Sequence, residues 1–206
     1  MKIEIGTNEA GQRLDKFLRK YFKDVPLSAI FKALRKGDIR VNGTKKKENY
    51  ALELGDEIEV RYLQSKKETN TSKEVNFIKV NSGSMKITFE DDNILVVEKW
   101  PGVLVHPDQR GVEPSLTDYV LSYLNGKGDY LPEKEKTFTP APCNRLDRNT
   151  SGVVIFGKNF ESLRTMNEMI REGYVKKYYN ALVKGKIKDG IYKGYISKDE
   201  NENISK

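Results

Sequence analysis

A polar stretch from residue 64 to residue 84 divides this chain and limits how it can fold. It is rich in Ser, Asn, Thr, Lys and Glu, a composition typical of linkers. Apolar patterning lies on either side of it, and 206 residues leave room for one large domain or two small ones. We predict domains at 1–62 and 86–206, joined by a linker at 63–85. A short apolar run at 77–80 is a candidate strand within that linker.

The composition excludes several classes of protein. Hydrophobic residues make up 37% of the chain and charged residues 33%, which predicts a polar, soluble protein with a modest core. No stretch approaches the ~18 apolar residues of a membrane-spanning helix, and the N terminus lacks the apolar block of a secretory signal. The single cysteine, Cys143, suits a reducing compartment, and the single histidine, His106, excludes zinc sites built from several His or Cys residues. We therefore expect a cytoplasmic protein.

The net charge of +7 lies mainly at the front of the chain. Residues 1–62 carry 14 Lys and Arg against 10 Asp and Glu, whereas residues 86–206 carry 19 against 18. A basic first domain indicates an anionic partner, although a solvated, lysine-rich surface explains the same charge equally well. Residues 142–188, with 10 basic and 4 acidic residues, offer a second basic surface.

The first domain has the pattern of a compact α+β unit. Apolar residues recur at helical spacing over 12–22 and again over 26–37, where a glycine ends the second helix. Asn42-Gly43 then predicts a hairpin turn, with three lysines at 45–47 near its tip. Alternating residues over 52–62 predict paired short strands around a Gly-Asp turn.

The second domain mixes strands and helices. Buried strands are predicted at 94–97, 153–156 and 178–183, and helices at 115–124 and 160–172. Short connections between these elements favour an α+β fold with a mixed or antiparallel sheet.

One loop carries the strongest candidate for chemistry. Asp147 lies between Arg145 and Arg148 on a polar segment that precedes an apolar strand. Nearby positive charge keeps a carboxylate ionised, as acid–base or nucleophilic work requires. An ordinary Arg–Asp pair that merely holds the loop explains the same spacing and is the commoner case.

Two further stretches stand out. A Pro-Gly turn at 98–107 joins apolar residues and carries His106, which a simpler interpretation packs beside Pro107. In the predicted strand at 178–183, Tyr178 and Tyr179 face opposite sides, so that one of them can enter a pocket. Tyrosine in a strand nevertheless packs more often than it reacts.

These three stretches resemble the motifs of the RluA-type pseudouridine synthases. The sequence NRLDRNTSG is similar to the family signature, with Asn144 where the family usually has histidine. VVEKWPGVLVHP is similar to its lysine-proline-glycine turn, and KKYYNALVKG to its lysine-x-tyrosine motif. Residues 12–61, including GDIRVNG, resemble an S4-type RNA-binding domain. The motifs stand in the family's order along nearly the whole chain.

The resemblance implies a reaction and two catalytic residues. The reaction is the isomerisation of uridine to pseudouridine in RNA, typically large-subunit ribosomal RNA, without a cofactor or a metal. Asp147 is implied as the essential carboxylate, either a nucleophile at the sugar or uracil ring or a base at the ribose. Tyr178 is implied to stack on the uracil or to shuttle a proton. The family's later basic residue and His-Gln motif are absent, so we expect a catalytic domain that is incomplete at its C terminus.

RNA is the only partner that the resemblance implies, and nothing in the sequence requires more than a monomer. The expected RNA contacts are basic residues of both domains: Arg145, Arg148, Lys32, Arg35, Lys36, Arg40, Lys45, Lys46 and Lys47. The alternative function is an RNA-binding module or inactive fragment whose catalytic domain is incomplete. A hydrolase that releases free uracil shares the same carboxylate logic and ranks far lower.

Overall fold

A computed structural model of the chain describes residues 1–63, 77–108, 113–135 and 137–195, together with the backbone of two short strands near the C terminus. It divides into two compact units, Met1–Val175 and Lys176–Lys206. The first unit contains two separate hydrophobic cores, one formed before residue 64 and one after residue 76. In the described parts, no helix combines the length and the apolar content needed to cross a bilayer.

Two helices and a three-stranded sheet enclose the first core. The elements are β1 (Lys2–Glu4), α1 (Leu14–Tyr21), α2 (Leu27–Lys36), β2 (Ile39–Val41) and β3 (Glu57–Val60). The sheet is antiparallel with the order β1-β3-β2. Leu14, Phe17 and Leu18 are fully buried, because an apolar stripe at helical spacing faces the core. Both predicted helices of this domain are confirmed.

Strand pairing in the first domain differs from the prediction. The turn at Asn42-Gly43 is tight, with φ values of 50° and 71°, and one bridge joins the residues on either side of it. The lysines at 45–47 form no strand after this turn. The pairing expected within 52–62 is wrong because β3 lies between β1 and β2, so both of its edges are already occupied.

The second core combines a four-stranded antiparallel sheet with helices. The elements are β4 (Lys86–Glu90), β5 (Ile94–Lys99), α3 (Leu116–Lys127), β6 (Ala141–Pro142), β7 (Gly152–Gly157) and α4 (Phe160–Arg171). The strand order is β4-β5-β7-β6. The predicted α+β class is confirmed, and the sheet is antiparallel.

The two helices of the second core form as the sequence predicts. Ser115 caps α3, and Asp118 accepts a hydrogen bond from the Ser115 N–H at 2.8 Å to complete a capping box. In α4 the apolar stripe of Leu163, Met166 and Ile170 is only half-buried. A side chain at Gly157 would place its Cβ 2.6 Å from the Cα of Leu163, so glycine is required where β7 approaches this helix.

The candidate strand at 77–80 is wrong. The Ile78 N–H donates to Asp118 Oδ1 and the Val80 N–H to Ser122 Oγ, both at 3.1 Å. Side chains of α3 therefore satisfy a backbone that would otherwise need a neighbouring strand. Phe77 and Met85 pack against the second core. The remainder of the polar stretch, residues 64–76, lies outside the described residues.

The strand predicted at 178–183 is also not formed. Residues 176–195 contain neither helix nor strand, and Tyr178 is 88% exposed. A strand needs a neighbour that accepts and donates its backbone hydrogen bonds, and none of the described residues pairs with this segment. The only strands described in the second unit are β8 (Lys198–Asp199) and β9 (Ile204–Ser205), which pair with each other.

Candidate active site

Two loops meet at one end of the β5–β7 pair. Lys99 at the end of β5 is in register with Gly152 at the start of β7, so the chain leaves β5 and enters β7 at the same edge of the sheet. The Gly102 N–H donates to the Arg148 carbonyl at 2.9 Å. The Pro-Gly turn and the Asp147 loop, which lie far apart in the sequence, are therefore neighbours in the fold.

A buried lysine joins these two loops. The Lys99 side chain donates to three backbone carbonyls, those of Trp100 (3.1 Å), Val103 (2.8 Å) and Arg148 (2.9 Å). Burial lowers the pKa of Lys99, and the negative charge of Asp147 acts in the opposite direction. The ammonium therefore fixes the backbone of both loops and lies within electrostatic reach of Asp147.

Lys99 lies within the Pro-Gly stretch quoted from the sequence, but it is not among the predicted site residues. The alternation of β5 places Leu95, Val97 and Lys99 on the same, buried face. A lysine at the third position of a buried alternation must find acceptors for its three protons. That pattern is visible in the sequence and is the signal that would have identified it.

Asn144 anchors the start of the Asp147 loop. Its Oδ1 accepts from the Ile155 N–H at 2.9 Å, and its Nδ2 donates to the Val153 carbonyl at 3.1 Å. The preceding residue, Cys143, donates its N–H to the Ile155 carbonyl at 2.7 Å. The side chain at the position of the usual histidine therefore binds the backbone of β7.

Asp147 occupies a turn at the tip of the loop. Its carbonyl accepts from the Thr150 N–H at 3.1 Å, and its side chain is exposed. Within the described residues the carboxylate makes no hydrogen bond and no salt bridge. The backbone around it is held on both sides, while the carboxylate itself is available to a ligand.

Neither flanking arginine pairs with Asp147 in the described residues. Arg148 forms a salt bridge with Glu113 at 3.0 Å and contacts the Gly102 carbonyl at 3.4 Å. Arg145 is exposed and lies near His106, whose pKa is lowered by partial burial of the imidazole and then by the charge of Arg145. The simple Arg–Asp pair is not formed, and His106 as a whole is exposed.

A cavity of about 630 Å³ lies beside the two loops. Lys99, Pro101 and Ser151 line it, together with an aromatic pair. In that pair the rings of Trp100 and Tyr119 pack edge to face with centroids 5.2 Å apart. The cavity gives this end of the sheet an aromatic wall next to a polar loop.

Other reactive groups are less suited to chemistry. Burial raises the pKa of the Cys143 thiol to about 11, so the thiol is protonated at neutral pH and a poor nucleophile. The described residues contain no group of three His, Cys, Asp or Glu placed to hold a metal ion. Tyr178 belongs to the second unit, whereas Asp147 belongs to the first.

Seven of the 14 basic residues of the first domain are here called the basic face: Lys32, Arg35, Lys36, Arg40, Lys45, Lys46 and Lys47. They lie on α2, on β2 and just after the Asn42-Gly43 turn. Arg35 and the three lysines line a groove of about 660 Å³ together with Phe31.

Two acids lie near the basic face without forming a salt bridge to it: Glu48 lines the groove, and Glu59 is opposite Arg40 in the sheet. Lys45 donates to the Arg35 carbonyl, and the Lys46 ammonium lies 4.7 Å from the centre of the Tyr50 ring. Arg40 donates to the carbonyls of Gly37 and Gly43. None of its seven cations forms a salt bridge in the described parts of the chain, so their charge is available to an anionic partner.

Comparison with known proteins identifies both domains. A family model described as RNA pseudouridylate synthase matches residues 93–206, and an S4 domain model matches residues 12–58. The protein named ribosomal large subunit pseudouridine synthase C in Salmonella typhimurium is 37% identical over 183 residues, which cover 89% of this chain and 54% of that protein. Its namesake in Vibrio vulnificus is 35% identical over 188 residues, covering 91% and 56% respectively. The chain thus spans about half the length of the curated relatives it matches.

Similarity to solved structures is limited. Human RNA Pseudouridylate Synthase Domain Containing 4 overlaps 42% of this chain and 30% of its own, with 24% sequence identity and a TM-score of 0.34. The assignment rests instead on the family model, which covers residues 93–206 and so more than half of the 206 residues. On that match the chain belongs to the RNA pseudouridylate synthase family.

Proposed function

We propose that this protein isomerises uridine to pseudouridine in large-subunit ribosomal RNA, with Asp147 as the essential carboxylate. The observation that carries the proposal is the Asp147 loop. Its carboxylate is exposed and unpaired within the described residues, while Asn144 and Lys99 hold the backbone on both sides. The names of the relatives from Salmonella and Vibrio supply the substrate class.

The group that the reaction needs most is a carboxylate positioned next to the uracil and its ribose. The bond from uracil N1 to ribose C1′ breaks, a bond from C5 to C1′ forms, the C5 proton leaves and N1 gains a proton. No atom group is lost and no electron is transferred. Asp147 acts either as a nucleophile at the sugar or uracil ring or as a base at the ribose. In both roles the buried charge of Lys99, which has no carboxylate among its hydrogen-bond acceptors, attracts negative charge to this loop.

The target uridine must leave its stack before it can reach Asp147. Extruding a base costs a few kcal/mol, and phosphate contacts elsewhere offset that cost. We assign these contacts to the basic face and to Arg145 and Arg148. Arg148 then exchanges Glu113 for a phosphate of the extruded nucleotide. Tyr178 is proposed to stack on the uracil or to shuttle a proton.

The domain division remains part of the same proposal. Residues 1–62 form the RNA-binding domain, 63–85 the linker and 86–206 the catalytic domain. Location in the cytoplasm also stays a prediction.

Release of tritium from RNA labelled at uridine C5 tests the function. Formation of the new carbon–carbon bond expels that hydrogen, so the label reports the isomerisation itself. We expect release by the parent protein and none by Asp147→Asn. Asp92, an exposed carboxylate in the β4–β5 turn, supplies the matched control, and Asp92→Asn retains the parental rate.

Three outcomes would contradict the proposal. Release by Asp147→Asn at the parental rate removes Asp147 from the chemistry. No release by the parent, with RNA binding intact, indicates a protein that binds RNA without turning it over. Strand breaks at labelled positions after aniline treatment would instead identify a hydrolase that leaves abasic sites.

A further inference from the structure

One asparagine of the first domain binds two partners in the second. Asn8 Nδ2 donates to Glu135 Oε2 at 3.0 Å, and Asn8 Oδ1 accepts from the Phe160 N–H at 3.3 Å. Glu135 lies in the loop before β6, and Phe160 is the first residue of α4. One side chain of the first domain therefore binds two separate segments of the second.

Further contacts surround this asparagine. Thr137 donates its hydroxyl to the carboxylate of Glu9, and the Lys20 ammonium lies 5.8 Å from the centre of the Phe160 ring. A side chain at Gly11 would place its Cβ 3.4 Å from Arg164 Nη1, so a side chain of α4 lies against the backbone of the first domain here. We call this set, from Asn8 to Lys20 on one side and from Glu135 to Arg164 on the other, the docking contact.

The conformation of Asn8 is itself fixed from within the first domain. Gln12 is 4% exposed, and its Nε2 donates to the Asn8 carbonyl at 2.6 Å. The Gln12 Oε1 in turn accepts from Lys20 at 3.1 Å. The backbone of Asn8 is thus held before its side chain reaches the second domain.

The Phe160 amide is a specific reporter of docking. The first N–H groups of a helix have no partner within the helix, and Asn159 uses its side chain on the Ser162 N–H. The Phe160 N–H is therefore satisfied across the domain boundary by Asn8. If the domains separate, this amide is exposed to water.

We propose that Asn8 is a positioning residue, which holds the first domain at one orientation on the second. RNA bound by the basic face then presents its uridine to the Asp147 loop. The inference rests on the proposed function for its RNA part. Small polar contacts between domains permit relative motion by default, so a side chain that binds two segments of the other domain at once has a large influence on orientation.

Reversal of one hydrogen bond tests the docking contact in the full chain. Asn8→Asp removes the donor to Glu135 and places a second carboxylate against it. Combined with Glu135→Gln, the donor and acceptor roles are exchanged and the bond is restored. Glu133→Gln, an exposed acid in the same loop, is the matched control because it removes the same charge without touching Asn8.

The first readout is hydrogen exchange at the Phe160 amide, without RNA. Asn8→Asp still offers an oxygen to the Phe160 N–H, but it loses the half-buried hydrogen bond to Glu135 and gains a repulsion that separates the two domains. We therefore expect exchange about tenfold faster or more in this variant. The double variant and Glu133→Gln exchange at the parental rate. Parental exchange in Asn8→Asp, or no recovery in the double variant, overturns the docking contact.

The second readout is where the protein binds on unmodified ribosomal RNA, measured together with its affinity and its activity on that RNA. In Asn8→Asp we expect the RNA Kd to stay within about twofold, because the basic face is unchanged, while kcat/KM for tritium release falls about tenfold. Hydroxyl-radical footprints should keep the nucleotides on the basic face and lose those around the reactive uridine. Fast Phe160 exchange with parental kcat/KM and footprint overturns the positioning role.

The two proposals fail in different ways. No tritium release by the parent refutes the proposed function, yet the footprint needs no turnover and still decides whether Asn8 sets the RNA position. Tritium release with an unaltered footprint in Asn8→Asp retains the function and refutes the positioning role.

Discussion

The β5–β7 strand pair ends in a buried lysine on both sides, and the two lysines differ in what they bind. Lys99 closes the end that carries the Asp147 loop, and Lys158 closes the opposite end, directly after β7. Each donates three hydrogen bonds. Those of Lys99 go to backbone carbonyls only, whereas those of Lys158 go to Glu90, Asp129 and one carbonyl.

The partners determine what each charge does. Burial lowers the pKa of Lys99. Burial also acts to lower the pKa of Lys158, but Asp129 and Glu90 outweigh it and raise that pKa. The positive charge of Lys158 is neutralised by its salt bridges with Glu90 and Asp129, so we assign it a structural role. Within the described residues Lys99 has no such partner, so its field extends to Asp147, and the proposed chemistry lies at this end of the sheet.

The largest effect on stability is expected from Lys99→Met. Removal of the ammonium leaves three carbonyls of the two loops without a donor, which we expect to lower the free energy of unfolding by about 3 kcal/mol. Trp100, the single tryptophan, is adjacent to Lys99, and its fluorescence in urea reports unfolding of this domain.

Lys86→Met is the matched control for that replacement. The Lys86 side chain is 73% exposed in its salt bridge with Glu98, and such pairs contribute about 0.5 kcal/mol. An equal loss in the two variants would remove the special role of the buried lysine at the Asp147 end.

Lys158→Met tests the difference between the two buried lysines, because its loss of folding stability should depend on pH. We expect a loss of about 2 kcal/mol at pH 7, because Glu90 and Asp129, whose side chains are 15% and 28% exposed, lose a partner. A hydrogen bond from Lys158 lowers the pKa of Asp129. Burial acts to raise the pKa of Glu90, but hydrogen bonds from Lys127, Tyr123 and Lys158 lower it overall.

The sign of the pH effect follows from these directions. Carboxylates with a lowered folded pKa contribute stability above their unfolded pKa of about 4, and that stability is lost as the pH falls through the folded value. Urea titrations at pH 7, 5 and 3 should therefore show the gap between parent and Lys158→Met closing in acid. Lys127 binds the same two carboxylates but is 47% exposed, so Lys127→Met should cost less than about 1 kcal/mol. A constant gap across pH would contradict this account.

Local patterns in the sequence predict much of this architecture. Helices α1, α2 and α4 and strands β5 and β7 follow from apolar spacing within a few residues of each position. The partners of β3 do not follow in this way, because β1 lies more than fifty residues earlier in the chain. The strand expected at 178–183 needs a neighbour that the described residues do not provide.

In the candidate site, too, local sequence predicts some features, whereas others depend on contacts between residues far apart in the chain. Asp147 is identifiable from its motif alone. The carbonyl of Arg148, which accepts from Lys99, is 49 positions away from that lysine, and only the antiparallel register of β5 and β7 brings the two together. The salt bridge between Arg148 and Glu113 likewise depends on tertiary structure, so charge spacing favoured a pair with Asp147 that does not form.

The smallest expected effect on folding stability is that of replacing the three lysines at 45–47, which form no salt bridge with a described residue. Replacement of Lys45, Lys46 and Lys47 by Ala should weaken binding of ribosomal RNA about tenfold and reduce the slope of log Kd against log salt by about 2. Folding stability should change little, because Lys45 and Lys47 are exposed, Lys46 is half-buried, and none of the three forms a salt bridge with a described carboxylate. Filter binding between 50 and 300 mM salt, roughly the range in which such slopes are linear, measures both quantities.

A charge-matched control decides whether position or charge alone matters. Lys2, Lys86 and Lys127 are also exposed, but each forms a salt bridge, with Glu57, Glu98 and Glu90 respectively. Replacing these three lysines by Ala removes the same charge as the triple variant and should leave the salt slope unchanged. If the control lowers the slope as much as the triple variant does, binding follows net charge and the basic face has no special role. If neither changes it, the phosphate contacts lie around Arg145 and Arg148, and the end of the sheet that carries Lys99 both holds the RNA and performs the chemistry.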